Sequence, residues 1–464
     1  MLLTLEQIAE YTEGKVYGRP GLQVSGVQID SRKVGNGDMF VALKGQQSDG
    51  HFFVLDSLAK GTAALVEKKW AKANHVFLPA ERGLVAVADP QRGLQQWASS
   101  YRDRFDIPVI GVTGSSGKTT TKDMIAAVLS NTLSVHKTAA NFNNELGLPL
   151  TVLGIDSSHQ AVVLEMGMRG IGEIEFLASI AKPTVGVITN IGTTHMELLG
   201  SQEKIAQAKG ELLLALPADG TAVLNGDDPW CRRLGSKLAC RIIYYSVNDL
   251  KADLAARDIK PMGDQATSFL VSYKGAEVEV SLPLPGRHNV ANALAAIGVG
   301  LSLGLGLGVC ALGLQNLQMT GMRLEICKGP RETRIINDTY NANPASTTAS
   351  LEVLGERALN SPKVAVLGSM FELGAEEERG HKQVGAYAAG IGGLTYLITV
   401  GELGKFIAQG AREAGIDGEK IFSFTNTSEA VDFLNDNLPA GAWVLVKGSR
   451  GMKMERVVEG LLKA

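Results

Sequence analysis

The chain has 464 residues, 45% of them hydrophobic and 20% charged, and its 45 basic and 48 acidic residues leave a formal net charge of −3. That length exceeds a single core and predicts roughly two to four domains. The near-neutral balance removes any electrostatic case for nucleic acid or an anionic membrane.

Glu6 and Glu10 interrupt the apolar start and no basic segment precedes it, so the N-terminus does not read as a signal peptide. Residues 1–88 read as a small α/β domain: helix 5–12, strand 23–29, a turn-rich stretch 30–38, strand 39–43, helix 51–60 and strand 63–66. Residues 89–320 form a central domain that opens with helix 91–105, strand 109–112 and helix 122–129. A strand at 133–135 and buried strands 161–165, 185–189 and 221–225 follow, separated by helical patterns. That alternation predicts a parallel sheet with helices on both faces. Residues 240–285 read as antiparallel strands, an insertion or an edge. The weakly charged segment 290–314 reads as a buried helix and turn rather than a membrane span, its many glycines making the second half a poor helix.

The pattern restarts over residues 321–464. Strands 334–337, 363–367, 394–400, 420–424 and 443–446 alternate with helices near 345–359, 377–391, 402–414, 427–437 and 453–462. This is a Rossmann-like domain whose first helix lacks Gly-x-Gly-x-x-Gly. The fold class is therefore α/β in three domains, with the central one carrying the parallel sheet. The four cysteines show neither Cys-x-x-Cys pairing nor metal-ligand spacing and read as free thiols of a reducing compartment.

Strand 109–112 runs into Thr113-Gly114-Ser115-Ser116-Gly117-Lys118-Thr119-Thr120, a glycine-punctuated turn before a helix. Glycines let backbone N–H groups converge on phosphate oxygens, the lysine adds a point charge, and the hydroxyl after it can hold Mg²⁺. Val112 stands where the full consensus has a glycine. The order strand, loop, helix predicts ATP binding, and with it a cytoplasmic protein. Glu165 ends a buried strand near the expected ligand crevice, and His195 follows the next strand. Either could be a metal ligand or a solvated loop side chain. Lys209 lies on a helix starting near Ser201, and spacing alone makes it a surface lysine solvated by Glu203 and Glu211. Polar stretches at 141–145, 287–292, 337–344 and 447–451 sit at strand–helix junctions, where caps and ligand contacts are both open readings.

Taken together, Thr113–Thr120, Glu165-Met166-Gly167 and Asn190–His195 resemble the Mur ligase family of ATP-dependent amide-forming enzymes. The resemblance covers all three domains in order. Asn141–Leu150, Asn337–Pro344 and Gly368–Gly374 are similar to the members that join D-alanyl-D-alanine to UDP-N-acetylmuramoyl-tripeptide, and the absence of Asp-Asn-Pro-Arg favours that step over diaminopimelate addition. It implies an acyl-phosphate mechanism with ATP and Mg²⁺ as cofactors, and a UDP-binding N-terminal domain with Ser31 and Arg32 near the uridine. Asn144 and Arg169 would lie toward the muramoyl-peptide. Thr119, Glu165, His195 and a carbamylated Lys209 would hold metal, with Lys118, His195 and Lys209 catalytic. Asn289 and Asn292 would approach adenine, Asp338 the ribose or hinge, and Arg323 the γ-phosphate. Met370–Gly374 and the Lys447 loop would take the dipeptide. A monomer is expected, with no nucleic-acid or membrane partner. The rival readings are a folylpolyglutamate synthase, disfavoured by the extra N-terminal domain, and a P-loop switch or transport ATPase.

Overall fold

The structure is a computed structural model that describes residues 1–45 and 47–463. Near the N-terminus a five-stranded sheet runs Lys15–Tyr17, Gly83–Val87, Ala63–Glu67, Asp38–Val41, Gly26–Gln28, parallel except for its first member. The single strand predicted over 23–29 is divided at Ser25, whose N–H donates to Gly37 O. Gln23–Val24 pairs antiparallel with Leu3–Thr4, while Gly26–Gln28 joins the main sheet. Lys15–Tyr17, the helix Lys68–Asn74 and Gly83–Val87 escaped the sequence reading. The last is buried at every position and so shows no alternation.

The central sheet has nine strands. The phosphate-loop strand Val109–Thr113 lies between Ala161–Glu165 and Val185–Ile188, and Thr221–Asn225 follows Val185–Ile188 outward. The strand expected at 133–135 sits at Val135–Lys137. Residues 240–285 extend this sheet as its edge. Arg241–Ser246 pairs parallel with Thr221–Asn225, so only the pairings among Leu254–Met262, Ala266–Tyr273 and Ala276–Leu282 are antiparallel. One face is covered by helices Lys118–Ser130 and Arg287–Ser302, the other by Pro90–Arg102, Glu173–Ala181 and Gln202–Leu214.

The glycine-rich segment corrects one expectation. Its second half is a helix, Leu307–Gln315, following Arg287–Ser302 after a short turn. Two of the glycines allow close approach: a Cβ at Gly313 would lie 2.6 Å from Val128 Cα, and one at Gly300 2.6 Å from Cys310 Sγ. Tight packing against the phosphate-loop helix outweighs the propensity cost of about 1 kcal/mol per glycine. No helix is long and apolar enough to cross a membrane among the described residues.

The last sheet runs Glu325–Lys328, Arg334–Asp338, Trp443–Lys447, Lys363–Gly368, Leu394–Val400, Ile421–Phe424. All pairings but the first are parallel. Helices Pro344–Arg357, Glu377–Gly390 and Gly404–Glu413 pack on one face, and Thr427–Asn437 and Glu455–Lys463 on the other.

Candidate active site

The phosphate loop is shaped by its glycines and clamped from the neighbouring strand. Gly114 has φ +151° and Gly117 φ +80°, both costly for any residue with a Cβ. Thr189 Oγ1 donates to Ser116 O at 2.6 Å, Ser116 N–H donates to Asn190 Oδ1 at 3.0 Å, and Gly192 N–H donates to Ser115 Oγ at 2.8 Å. Strand Val109–Thr113 continues through Val112, so the missing consensus glycine falls in the sheet and the loop proper begins at Gly114. Lys118 folds back, its Nζ donating to Gly114 O at 2.7 Å. Burial lowers the Lys118 pKa, and Arg323 adds to that while Glu165 opposes it.

A cavity of about 510 Å³ opens over this loop, lined by Ser115–Thr120, Glu165, Asn292, Arg323 and Lys447 among others. Arg323 lies 4.1 Å over the Tyr340 ring and donates to Thr119 Oγ1 at 2.9 Å. Asn289 and Asn292 are buried in its wall. Asn289 Nδ2 donates to Pro285 O at 2.8 Å, Asn292 Nδ2 to Asn289 Oδ1 at 3.2 Å, and Thr121 Oγ1 to Asn292 Oδ1 at 3.2 Å. Asp338 accepts from Leu324 N–H at 3.3 Å and from Ser350 Oγ at 2.6 Å, and it ion-pairs with Lys447. Burial opposes its ionisation, but the Lys447 charge prevails and holds the carboxyl below its ordinary range. His288, which the sequence reading passed over within its own stretch, is half-buried in the same wall, with its pKa pushed down to about 4 by desolvation.

A second cavity of about 610 Å³ lies on the other side of Lys118 and Asn143, and Asn144, Arg169, His195 and Glu372 line it. Asn144 also serves as a cap, its Oδ1 accepting from Gly147 N–H at 2.9 Å. Glu165 is 3% exposed; Oε1 accepts from Asn143 Nδ2 at 2.8 Å and Oε2 has no partner among the described residues. A buried carboxylate oxygen left unpaired is costly unless something meets it. His195 has φ +67°, and burial followed by the charges of Lys209 and Lys118 pushes its pKa down to about 4.

Lys209 corrects the reading from spacing: it is 1% exposed. Glu211 instead accepts from Gly172 and Glu175 N–H at 2.7 and 3.0 Å, and Glu203 pairs with Arg233 at 3.2 Å. Burial and then the Lys118 charge lower the Lys209 pKa well below the ordinary lysine value. Ser31 and Arg32 line neither cavity. Arg32 is exposed and forks onto Asp30 at 2.8 Å.

The last sheet reaches across this site. Asn343 Nδ2 donates to Thr194 Oγ1 at 3.2 Å, and Glu372 Oε2 lies 3.2 Å from His195 Nδ1 without forming a hydrogen bond. The linker is fastened too: Asp123, fully buried, accepts from Thr320 N–H at 3.0 Å and Thr320 Oγ1 at 2.8 Å, and from Lys137 at 2.7 Å. Asp123 and Thr320 carried no signal in the sequence, since a mid-helix aspartate is unremarkable until the linker is placed beside it.

Family models match in order along the chain: the Mur ligase catalytic domain at residues 23–102, the Mur ligase middle domain at 112–300 and the glutamate ligase domain at 322–450. The UDP-N-acetylmuramoyl-tripeptide–D-alanyl-D-alanine ligase of Bacillus subtilis is 39% identical, over 99% of this chain and 98% of its own. The chain belongs to the Mur ligase family. Its fold is similar to MurF from Acinetobacter baumannii, with a TM-score of 0.89 at 31% identity over 100% of this chain and 99% of the other. It is also similar to the MurF ligase from Thermotoga maritima in complex with ADP, with a TM-score of 0.81 at 28% identity over 95% and 97% of the two chains. The three-domain α/β architecture and membership among ATP-dependent ligases follow from these likenesses.

Proposed function

We propose that this protein joins D-alanyl-D-alanine to UDP-N-acetylmuramoyl-tripeptide, releasing ADP and phosphate. One observation carries the reading: the phosphate-loop cavity and the Arg169 cavity share Lys118 and Asn143 as a common wall. A carboxylate entering from one side thus meets a γ-phosphate from the other. Its attack gives an acyl phosphate, and the dipeptide amine then displaces phosphate through a tetrahedral intermediate. Lys118 and Arg323 bear on the transferring charge, and the closing loops around Asn343 and Glu372 keep water from the acyl phosphate. Asn289, Asn292 and Asp338 form the nucleoside end. Asn144 and Arg169 face the muramoyl-peptide, and residues 1–88, with Ser31 and Arg32, take the UDP end. The partition into domains at 1–88, 89–320 and 321–464 goes with these roles.

Mg²⁺ fits the residues present. No group of three or more His, Cys, Asp and Glu forms a metal cage among the described residues, yet Mg²⁺ is ordinarily held by one or two carboxylates, waters and substrate phosphates. The unpaired Glu165 Oε2, Thr119 Oγ1, His195 and Lys209 would hold it. When bound, it neutralises phosphate charge. The lowered pKa of Lys209 favours the unprotonated amine, the form that takes up CO₂ as a carbamate and would so supply a negative ligand. In this reading the protein works in the cytoplasm, where such substrates are made, and acts as a monomer.

The test is ADP release by the purified protein with each substrate omitted in turn, and mass spectrometry of the product. Release demanding both UDP-muramoyl-tripeptide and D-alanyl-D-alanine is expected. ADP release without either acceptor identifies a plain ATPase instead, and glutamate addition to a folate identifies the other rival.

A further inference from the structure

In the last sheet, strands Lys363–Gly368 and Trp443–Lys447 are neighbours. The helices that follow them, Glu377–Gly390 and Glu455–Lys463, pack on opposite faces. Such a reversal opens a crevice at the carboxyl ends of the two strands. A cavity of about 180 Å³ occupies it, bounded by Asn343, Phe371, Glu372, Ser449 and Arg450. Among the described residues, Glu372 alone lines both this cavity and the one containing Arg169 and His195.

The backbone holds Glu372 at that junction under strain. Its φ is +65°, a left-handed conformation that costs a residue with a Cβ roughly 1–2 kcal/mol. Neighbours enforce it: Phe371 N–H donates to Ser449 Oγ at 2.9 Å, and Gly374 lies so close to Glu197 that a Cβ would come within 2.7 Å. Its half-exposed carboxylate accepts no hydrogen bond among the described residues, although it lies 3.2 Å from His195 Nδ1. Strain at a non-glycine residue is retained where geometry serves a function.

Resting on the ligase reading above, we propose that the Glu372 carboxylate receives the protonated amino terminus of the incoming dipeptide and aims its nitrogen at the acyl carbon, the nitrogen losing one proton to the solvent that reaches this half-exposed carboxylate before it attacks. The reaction needs that nitrogen within about 3–3.5 Å of a carbon held beside Lys118, at the junction of the two cavities. A dipeptide is a zwitterion, and Arg450 of the same cavity, which here pairs with Glu455 at 3.1 Å, carries the cation for its other end. The likeness of charge pattern sets the ligand class: a short peptide or amino acid with a free amine and a free carboxylate.

The test uses the full chain and its Glu372→Gln variant. Steady-state kinetics should show the KM for D-alanyl-D-alanine raised about 10- to 100-fold, the loss expected for one charged hydrogen bond, with the KM for ATP within about twofold. N-Propanoyl-D-alanine, which lacks only the amine, should inhibit parent and variant equally. An unchanged dipeptide KM overturns the assignment. So does inhibition by the des-amino analogue weakened in parallel with the dipeptide, which would mean the cavity has merely changed shape. A shift confined to the metal requirement and the ATP KM assigns Glu372 to holding His195 instead. A parent enzyme without dipeptide-dependent ADP release overturns the ligase reading itself, and this one with it.

Discussion

Gly114→Ala tests whether the phosphate loop owes its shape to its neighbours. The added Cβ would lie 1.9 Å from Thr189 Oγ1 and 3.1 Å from Thr189 Cβ. Thr189 cannot simply withdraw. Its hydroxyl donates to Ser116 O at 2.6 Å, and its carbonyl accepts from Asn225 Nδ2 at 3.0 Å and from Tyr245 OH at 3.2 Å. Overpacking of this kind costs about 1–3 kcal/mol. The backbone at φ +151° adds about 1–3 kcal/mol for a residue with a side chain. The total of about 2–6 kcal/mol can fall in two places. If the loop keeps its shape, the whole protein is destabilised by that amount. If the loop shifts, ATP affinity falls instead, about 30-fold for each 2 kcal/mol. Calorimetric ATP titration and denaturant unfolding of the same variant measure both parts. Gly308→Ala is the control: nothing lies within 4 Å of its Cβ in helix Leu307–Gln315, and about 0.5–1 kcal/mol of added stability is expected. A Gly114→Ala protein with parental affinity and parental stability would refute the reasoning.

Lys118→Ala should lower turnover on the order of 10²-fold or more, because a half-buried cation at the transferring phosphate acts in a partly desolvated site; near-parental turnover in a coupled ADP assay removes its role. Thr320→Val keeps the N–H bond to Asp123 but loses the hydroxyl bond of 2.8 Å, three residues before Arg323. About tenfold slower turnover is expected, at the low end for a hydrogen bond to a charged group, and a double-mutant cycle with Asp123→Asn should show the two effects coupled. Additive effects would detach the linker from Asp123. His288, at about 4 when folded and near 6.5 when unfolded, makes the unfolded chain the better proton binder between those values. Stability is therefore complete above about pH 6.5 and is lost as pH falls toward 4, by about 3 kcal/mol. Urea melts at pH 7 and 4.5 should show a loss about 3 kcal/mol smaller in His288→Gln than in the parent, the remainder belonging to the other depressed histidines, His195 among them.

Much of the architecture was legible because its signals are local. Strands 161–165, 221–225 and 394–400 are apolar runs flanked by turn residues, and all three stand at those bounds. The failures share a cause. Gly83–Val87 is buried on both faces and lacks alternation, and Leu307–Gln315 is a helix because glycine lets Val128 come close. The parallel pairing of Arg241–Ser246 depends on a partner strand, which no window of neighbouring residues contains.

The same division runs through the site. A glycine-bounded loop ending in Lys118-Thr119 between strand and helix is a property of consecutive residues, and so are Glu165 at its strand end and His195 after the next. Chain order was enough to place them at the loop and strand ends, but it left the roles of Glu165 and His195 open. That Lys209 is buried rather than solvated, that Arg323 reaches Thr119, and that Glu372 stands between two cavities were decided by the tertiary structure. Desolvation and Coulomb interaction are sums over everything near in space, and in each of these cases the decisive neighbours lie far away along the chain.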